Sequence, residues 1–401
     1  MENVSLMHVV TTPVSLGVFL RGQPRHLAAS GFDVQAVASP GKLLDRFGLD
    51  EQIDTHTAPL TRKISPLTDL RALVRLTRLF RRERPTIVHT HTPKAGLVGM
   101  IAAWLARTPV RLYTVHGLPL ETATGLRRRL LWLSERVACR LASRVICVSD
   151  SVRQELIESD LCQPEKAAVL GHGSANGVDA ASRFNPKLQS PETRQRVRTE
   201  VGAAGDSIVV GFVGRLTSEK GVEELLTAWR TLRRADRRLR LLVLGGFEER
   251  DPVSGSSRAR LAADPTITHV THSDDMPRFY AAMDLLVLPT YREGLPTVLL
   301  EAAAMGLPAV ATRVTGCVDA VVEGETGKLV PARDADALAA TIRQYTEDPD
   351  LRAKHGEAAR QRALRHFQPQ GVWQAVDAEY RRLLDASGQV QPEVLQQQEA
   401  A

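Results

Sequence analysis

Leu285-Leu-Val-Leu-Pro-Thr-Tyr-Arg-Glu-Gly-Leu-Pro-Thr-Val-Leu-Leu-Glu301 is the stretch on which the fold reading turns. Its first four residues form an unbroken apolar run of strand length, the pattern of a strand covered on both faces. Pro289 ends the run. A loop holding Glu293 and Gly294 follows, and Pro296 stands where a first helical residue belongs. Met305-Gly-Leu-Pro308 supplies the helix stop. Val298, Ala302 and Met305 fall at i, i+4 and i+7 and predict the buried face, while Thr297 and Glu301 share another face.

The same strand–loop–helix unit recurs on both sides. Ile208–Val213, Leu241–Leu244, Ala309–Ala311 and Lys328–Val330 complete one series of strands. Leu6–Val10, Val34–Ala38, Ile87–Thr90, Leu112–Val115 and Val145–Val148 form another. Amphipathic segments separate the strands, so each series predicts an α/β domain with a doubly wound parallel sheet. A chain of 401 residues has room for two. The break falls near Gly171-His-Gly-Ser-Ala-Asn-Gly177. The expected division is a first domain over 1–172, a second over 173–366, a helix over 367–390 packing back on the first, and a frayed polar tail over 391–401.

Composition narrows the function classes. With 43% hydrophobic and 24% charged residues the chain is globular. Aromatics at 4% are too few for a stacking platform, and no reading helix is visible, so no nucleic-acid partner is expected. A net charge of +6 permits an acidic partner. Cys139, Cys147, Cys162 and Cys317 lie far apart without a C-x-x-C pair, which fits a reducing compartment and no zinc site. The amino terminus lacks a basic n-region and no apolar run reaches 18 residues. The expected location is cytoplasmic, with any membrane contact peripheral.

Ligands of such sheets bind beyond the carboxyl ends of the strands. The free N–H groups of the helix after Pro296 make an anion site. Glu301, one turn further in, can accept hydrogen bonds from ribose hydroxyls, and Glu293 lies nearer whatever the phosphates carry. In Val210-Gly-Phe-Val-Gly-Arg-Leu-Thr-Ser-Glu-Lys-Gly221 the strand ends at Gly214, and Arg215 and Lys220 can reach one diphosphate. This is not a Walker A loop. His116 ends another strand beside Gly117. His89, His91 and His116 lack regular ligand spacing and an accompanying carboxylate, and Asp334-Ala-Asp336 reads as a helix cap, so no metal is expected. Residues 62–84 carry a net +6, equal to the whole chain. There Arg71, Arg75, Arg78 and Arg82 follow helical spacing beside Leu70, Leu73, Leu76 and Phe80. Arg127, Arg128 and Arg129 open a second helix backed by Leu126, Leu130 and Leu133. Both stripes suit an anionic membrane surface or an acidic acceptor.

Taken together, the Arg215…Lys220 loop, Glu293…Glu301 and His116 resemble the retaining family 4 glycosyltransferases of the GT-B fold, two Rossmann-like domains facing across a cleft. Thr315-Gly-Cys-Val-Asp319 and Gly324-Glu-Thr-Gly327 extend the resemblance. His89-Thr-His-Thr-Pro-Lys94 and Gly173-Ser-Ala-Asn-Gly-Val-Asp179 resemble the bacterial subgroup that builds capsule, O-antigen or N-glycan precursors on polyprenyl diphosphate. The resemblance implies a nucleotide-sugar donor, a lipid-linked glycan acceptor, retention at the anomeric carbon, and no cofactor. It implies that Arg215 and Lys220 hold the diphosphate and Glu301 the ribose. Glu293, with the backbone of Gly294, Leu295, Pro296 and Thr297, positions the sugar, and His116 contacts it from the other domain. His91 and Lys94 join the arginines on the acceptor side. Two places depart from the family pattern. Val14-Ser-Leu-Gly17 replaces the usual Gly-Gly pair, leaving Gly17 as the candidate loop contact, and Asp319 stands where Glu is common. A UDP-sugar 2-epimerase, another GT-B enzyme and a non-catalytic basic membrane-binding protein remain as alternatives.

Overall fold

The computed structural model describes residues 4–203, 205–249 and 251–388; the tail expected to fray over 391–401 lies outside them. The first sheet contains β1 (Val4–Val9), β2 (Phe32–Ala38), β3 (Asp54–Thr57), β4 (Ile87–His91), β5 (Val110–Val115), β6 (Arg144–Cys147) and β7 (Ala167–Val169). All are parallel, in the order β3-β2-β1-β4-β5-β6-β7. The second contains β8 (Ile208–Val213), β9 (Leu239–Leu244), β10 (Ile267–Val270), β11 (Leu285–Leu288), β12 (Ala309–Thr312) and β13 (Gly327–Val330). It too is parallel, in the order β10-β9-β8-β11-β12-β13. Each sheet reverses its strand order beside its first strand, between β1 and β4 and between β8 and β11, where a doubly wound sheet opens a crevice.

Helices cover both sheets. The first half carries α1 (Pro13–Phe19), α2 (Gln23–Ala29), α3 (Lys42–Glu51), α4 (Pro66–Glu83), α5 (Pro93–Leu105), α6 (Gly125–Leu141) and α7 (Asp150–Glu158). The second carries α8 (Pro191–Glu200), α9 (Val222–Ala235), α10 (Gly255–Ala263), α11 (Met276–Ala282), α12 (Thr297–Ala304), α13 (Cys317–Ala320), α14 (Ala335–Glu347), α15 (Pro349–His366) and α16 (Pro369–Ala386). Every residue of β8 and β11 is buried, as their unbroken apolar runs require. Val376, Tyr380 and Leu384 of α16 share an apolar cluster with Leu6, Ile87 and Leu112 of the first sheet. Arg144 Nε of β6 also donates to Glu379 Oε1 at 2.7 Å. The chain crosses between domains twice at one place. Val178 N donates to Phe367 O at 2.7 Å, and Gly177, at φ 69°, leaves no room for a side chain beside that carbonyl.

Four details differ from the sequence expectation. β3, β7 and β10 are additional strands, all at sheet edges and only partly buried; β3 and β10 mix polar with apolar residues, and the apolar run of β7 is only three residues long. In α12 the buried residues are Leu299, Leu300, Ala302 and Ala304, and Val298 is only half-buried; the helix is wedged between β11, β12 and α15, so no single stripe faces the core. Leu76 and Phe80 of α4 point into the core, and the apolar residues exposed near its arginines are Leu67, Leu70 and Val74. Val14–Gly17 is helix rather than loop, because Pro13 starts α1 directly after β1.

Candidate active site between the two domains

The carboxyl ends of the two sheets meet backbone to backbone. A Cβ on Gly294, after β11, would sit 2.2 Å from the carbonyl oxygen of His116, after β5. A Cβ on Gly316 would sit 2.3 Å from the carbonyl oxygen of Gly294. Only residues without side chains fit there. Hydrogen bonds from the start of α7 reinforce the seam. Ser149 Oγ donates to Gly294 O at 2.7 Å while accepting Val152 N–H as the helix cap. Ser151 N donates to Asp319 Oδ1 at 3.1 Å, its hydroxyl bonds Asp319 Oδ2, and it accepts Gly316 N–H at 2.8 Å. Leu295 packs against the cores of both domains. Ser149 and Ser151 escaped the sequence reading, although Ser-Asp-Ser directly after a strand is a cap signal.

Two of the residues expected on the donor are joined at this seam. Lys220 Nζ forms an ion pair with Glu293 Oε1, and both side chains are largely buried. Arg215 lies at the same loop but turns outward, half exposed, with Nη1 3.0 Å from Glu248 Oε2. Arg292 Nη2 bonds Glu219 Oε2 at 2.8 Å, and its Nε reaches Thr122 across the cleft at 3.1 Å. Loop geometry enforces these positions. Gly221, at φ 68°, would place a Cβ 1.9 Å from Pro289 O, so the start of α9 lies directly on the end of β11. Tyr291 N donates to Glu219 O at 2.8 Å, and Glu219 N to Asp251 Oδ2 at 2.8 Å. Lys220, Arg215 and Arg292 therefore each have a carboxylate partner that an incoming anion can replace.

Glu301 stands one turn into α12, half-buried, and accepts from Tyr280 OH at 2.7 Å. Burial pushes its carboxyl up to about 7, against the opposing effect of the Tyr280 hydrogen bond. His116 stacks on Phe19 of α1, ring centroids 3.9 Å apart, and burial pushes its imidazole down to about 3. Gly17 lies on the same short helix, with open space beside it. Thr297 opens α12, and Gly294–Pro296 form the turn before it. Glu121, unmarked in the sequence reading, follows β5 beside the cleft, and burial raises its carboxyl.

On the other domain, Arg71, Arg75 and Arg78 line an open groove of about 620 Å³ with Leu70, Val74 and Pro59. Arg82 lies beyond it and pairs with Glu83. Arg127, Arg128 and Arg129 are exposed among Leu126, Leu130 and Leu133. Two residues expected on the acceptor side are placed otherwise. His91 is 3% exposed, behind His116, and cannot touch an acceptor. Lys94 is tied to Asp69 in an ion pair between α5 and α4. Asp334 caps α14, accepting from Ala337 N at 2.8 Å. His8, His89 and His91 bring ring nitrogens within 4.8 Å of one another. His8, a polar residue near the end of β1, carries no local motif in the sequence that marks it.

This site lies in a known setting. Residues 16–173 match the family model described as glycosyl transferase 4-like domain, and residues 193–362 the model described as glycosyl transferases group 1. The chain is 35% identical, over 96% of its length and 99% of the relative's, to the capsular polysaccharide biosynthesis glycosyltransferase CapM of Staphylococcus aureus. It is 27% identical, over 87% of its length and 90% of the relative's, to a UDP-Gal:alpha-D-GlcNAc-diphosphoundecaprenol alpha-1,3-galactosyltransferase of Escherichia coli. HepE of Anabaena, solved in complex with UDP, superposes with a TM-score of 0.76 at 22% identity, covering 94% of this chain and all of that one. The chain belongs to the family 4 glycosyltransferases of the GT-B fold. It is a glycosyltransferase.

The bonds across the seam generate a first test. Asp319→Ala removes two hydrogen bonds to α7, each contributing about 1.5–3 kcal/mol because the acceptor is charged. Small-angle scattering should then report a larger radius of gyration as the domains separate. A scattering profile identical to that of the parent would show that these bonds do not hold the cleft shut.

Proposed function

We propose that the protein transfers a sugar from a UDP-sugar to a glycan on polyprenyl diphosphate, with retention of configuration, in the assembly of a surface polysaccharide. The observation that carries this reading is the meeting of Lys220 and Glu293 under the His116–Gly117 turn, beside Arg215 and the start of α12. That arrangement offers cations and helix N–H groups to a departing diphosphate and a carboxylate to the hydroxyls of the sugar. In this reading Glu293 binds rather than attacks, since Lys220 holds it, and Glu301 is committed to the ribose. No residue of the cleft is assigned to a metal. The activity named for the Escherichia coli relative supports a diphosphate-linked lipid acceptor, and the UDP in HepE supports the base.

Purified protein incubated with UDP-, GDP- and ADP-sugars and a polyprenyl-diphosphate acceptor should give product by mass spectrometry with a UDP-sugar. Arg215→Ala and Lys220→Ala should each lower turnover by about 10²–10³, the scale for losing a preorganised charge. Turnover within a few-fold of the parent in either variant would remove that residue from the diphosphate site.

The raised carboxyl of Glu301 fixes the sign of a pH effect. Its carboxylate form accepts the ribose hydrogen bonds, and the free site takes up a proton as pH falls through about 7. UDP-sugar affinity should therefore weaken by about tenfold from pH 8 to pH 6. Glu301→Gln should bind more weakly and without that slope. A parent whose affinity is flat across this range would exclude Glu301 as the ribose acceptor.

A lipid acceptor requires the enzyme to reach a membrane surface, and no helix among the described residues is long and apolar enough to cross one. The exposed arginines of α4 and α6, with Leu67, Leu70, Leu126 and Leu130, suit an anionic leaflet at about 1 kcal/mol per charge. Replacing Arg71, Arg75, Arg78 and Arg82 by Gln should abolish sedimentation with phosphatidylglycerol vesicles at low salt and spare UDP-sugar binding. Failure of the parent to sediment would remove the membrane from the scheme.

A further inference from the structure

Three histidines, His8 on β1, His91 at the end of β4 and His116 just after β5, form one continuous line of contacts that ends at the seam between the domains. His116 Nε2 is 3.2 Å from His91 Nδ1. His91 Nε2 is 3.1 Å from His8 Nδ1. His8 Nε2 is buried and has no hydrogen-bond partner among the described residues. At the other end, His116 Nδ1 has no protein partner among the described residues. We propose that His8 and His91 are positioning residues: their buried line fixes His116 as the tautomer protonated on Nδ1, a hydrogen-bond donor facing the cleft.

A neutral imidazole has one N–H and one bare nitrogen, so each contact needs one of each. Two contacts in series therefore admit only two arrangements. In one, His8 Nδ1–H donates to His91 Nε2, His91 Nδ1–H donates to His116 Nε2, and His116 keeps its proton on Nδ1. A bare lone pair is then left on His8 Nε2. In the other, every proton moves to the opposite nitrogen, His116 presents a bare Nδ1, and His8 holds a buried N–H that donates to nothing. Orphaned buried N–H groups are the rarer defect, so the first arrangement prevails.

The surroundings keep the line neutral. Burial holds His8 and His116 down to about 3, and His91 well below the ordinary histidine range. The other titratable groups nearby are His89 of β4 and Tyr380 of α16 within the domain, and the paired Glu293 and Lys220 across the seam. His89 is engaged elsewhere, with Tyr380 OH at 2.6 Å and Thr114 Oγ1 at 2.6 Å. The backbone also holds His91 in place. Thr92, which follows it, adopts φ 73° and ψ 145°, a conformation rare for a β-branched residue, and bonds Thr11 Oγ1 of the loop after β1 at 2.7 Å.

The inference rests on the reading of His116 as a sugar contact for its consequence, but not for its test. Protein labelled with ¹⁵N-histidine is examined without donor or acceptor by long-range ¹H–¹⁵N correlation, with His116→Gln identifying the His116 signals. The Nδ1–H pattern is expected at pH 7.5. An Nε2–H or doubly protonated His116 would overturn the proposal, and a failed donor assignment would leave this result untouched. In His91→Leu the Nδ1–H preference should be lost and kcat/KM should fall about three- to tenfold, the range spanned by one neutral hydrogen bond. His91→Asn, whose amide can donate from nearly the same position, should restore both. Equal impairment of the Leu and Asn variants would mean that packing alone matters, and the proposal would fall.

Discussion

Everything in the cleft depends on backbone lying against backbone at Gly117, Gly294 and Gly316. The carboxyl ends of two parallel sheets can share a ligand only if they approach closely, and a single Cβ at Gly294 would collide with the His116 carbonyl. The loop after β11 consequently belongs to both domains. Its carbonyl is bonded by Ser149 of α7, and its Leu295 packs against both cores. The crossing near Gly177 and the return of α16 onto the first sheet tie the two domains together a second time. The glycines are thus the point about which two otherwise separate cores are arranged.

Electrostatics inside the cleft and outside it follow different rules. Inside, burial makes an unpaired charge expensive, so Lys220 is matched by Glu293, Arg292 by Glu219, and the histidines are neutral. An anion entering this cleft exchanges partners with groups already positioned. Outside, Arg71, Arg75 and Arg78 of α4 and Arg127, Arg128 and Arg129 at the start of α6 stand in water without a carboxylate partner among the described residues, where the cost of leaving a charge unpaired is small.

Legibility in the sequence tracked burial. The central strands were readable because both faces are covered, which demands apolar residues at every position, as in Leu285–Leu288 and Ile208–Val213. β3, with the sequence Asp54-Thr-His-Thr57, was not, because an edge strand is held by ladder hydrogen bonds that leave no mark on residue type. The charged residues of the cleft were noticeable because they directly follow strands. His8 and Ser149 were not, since a lone His in a strand and a Ser at a helix start each have an ordinary local explanation.

By itself the sequence determined the two-sheet architecture, the place of Arg215, Lys220 and Glu293 after strand ends, and that of Glu301 in the helix that follows. These follow from periodicity and local stereochemistry, which act over a few residues. Only the tertiary structure decided partners. It joined Lys220 to Glu293 across 73 positions, turned Arg215 toward Glu248, and placed His91 behind His116 instead of at the surface. The physical reason is that pairing and burial depend on which strand ends become neighbours, and parallel topology brings together residues whose separation along the chain carries no signal of their contact.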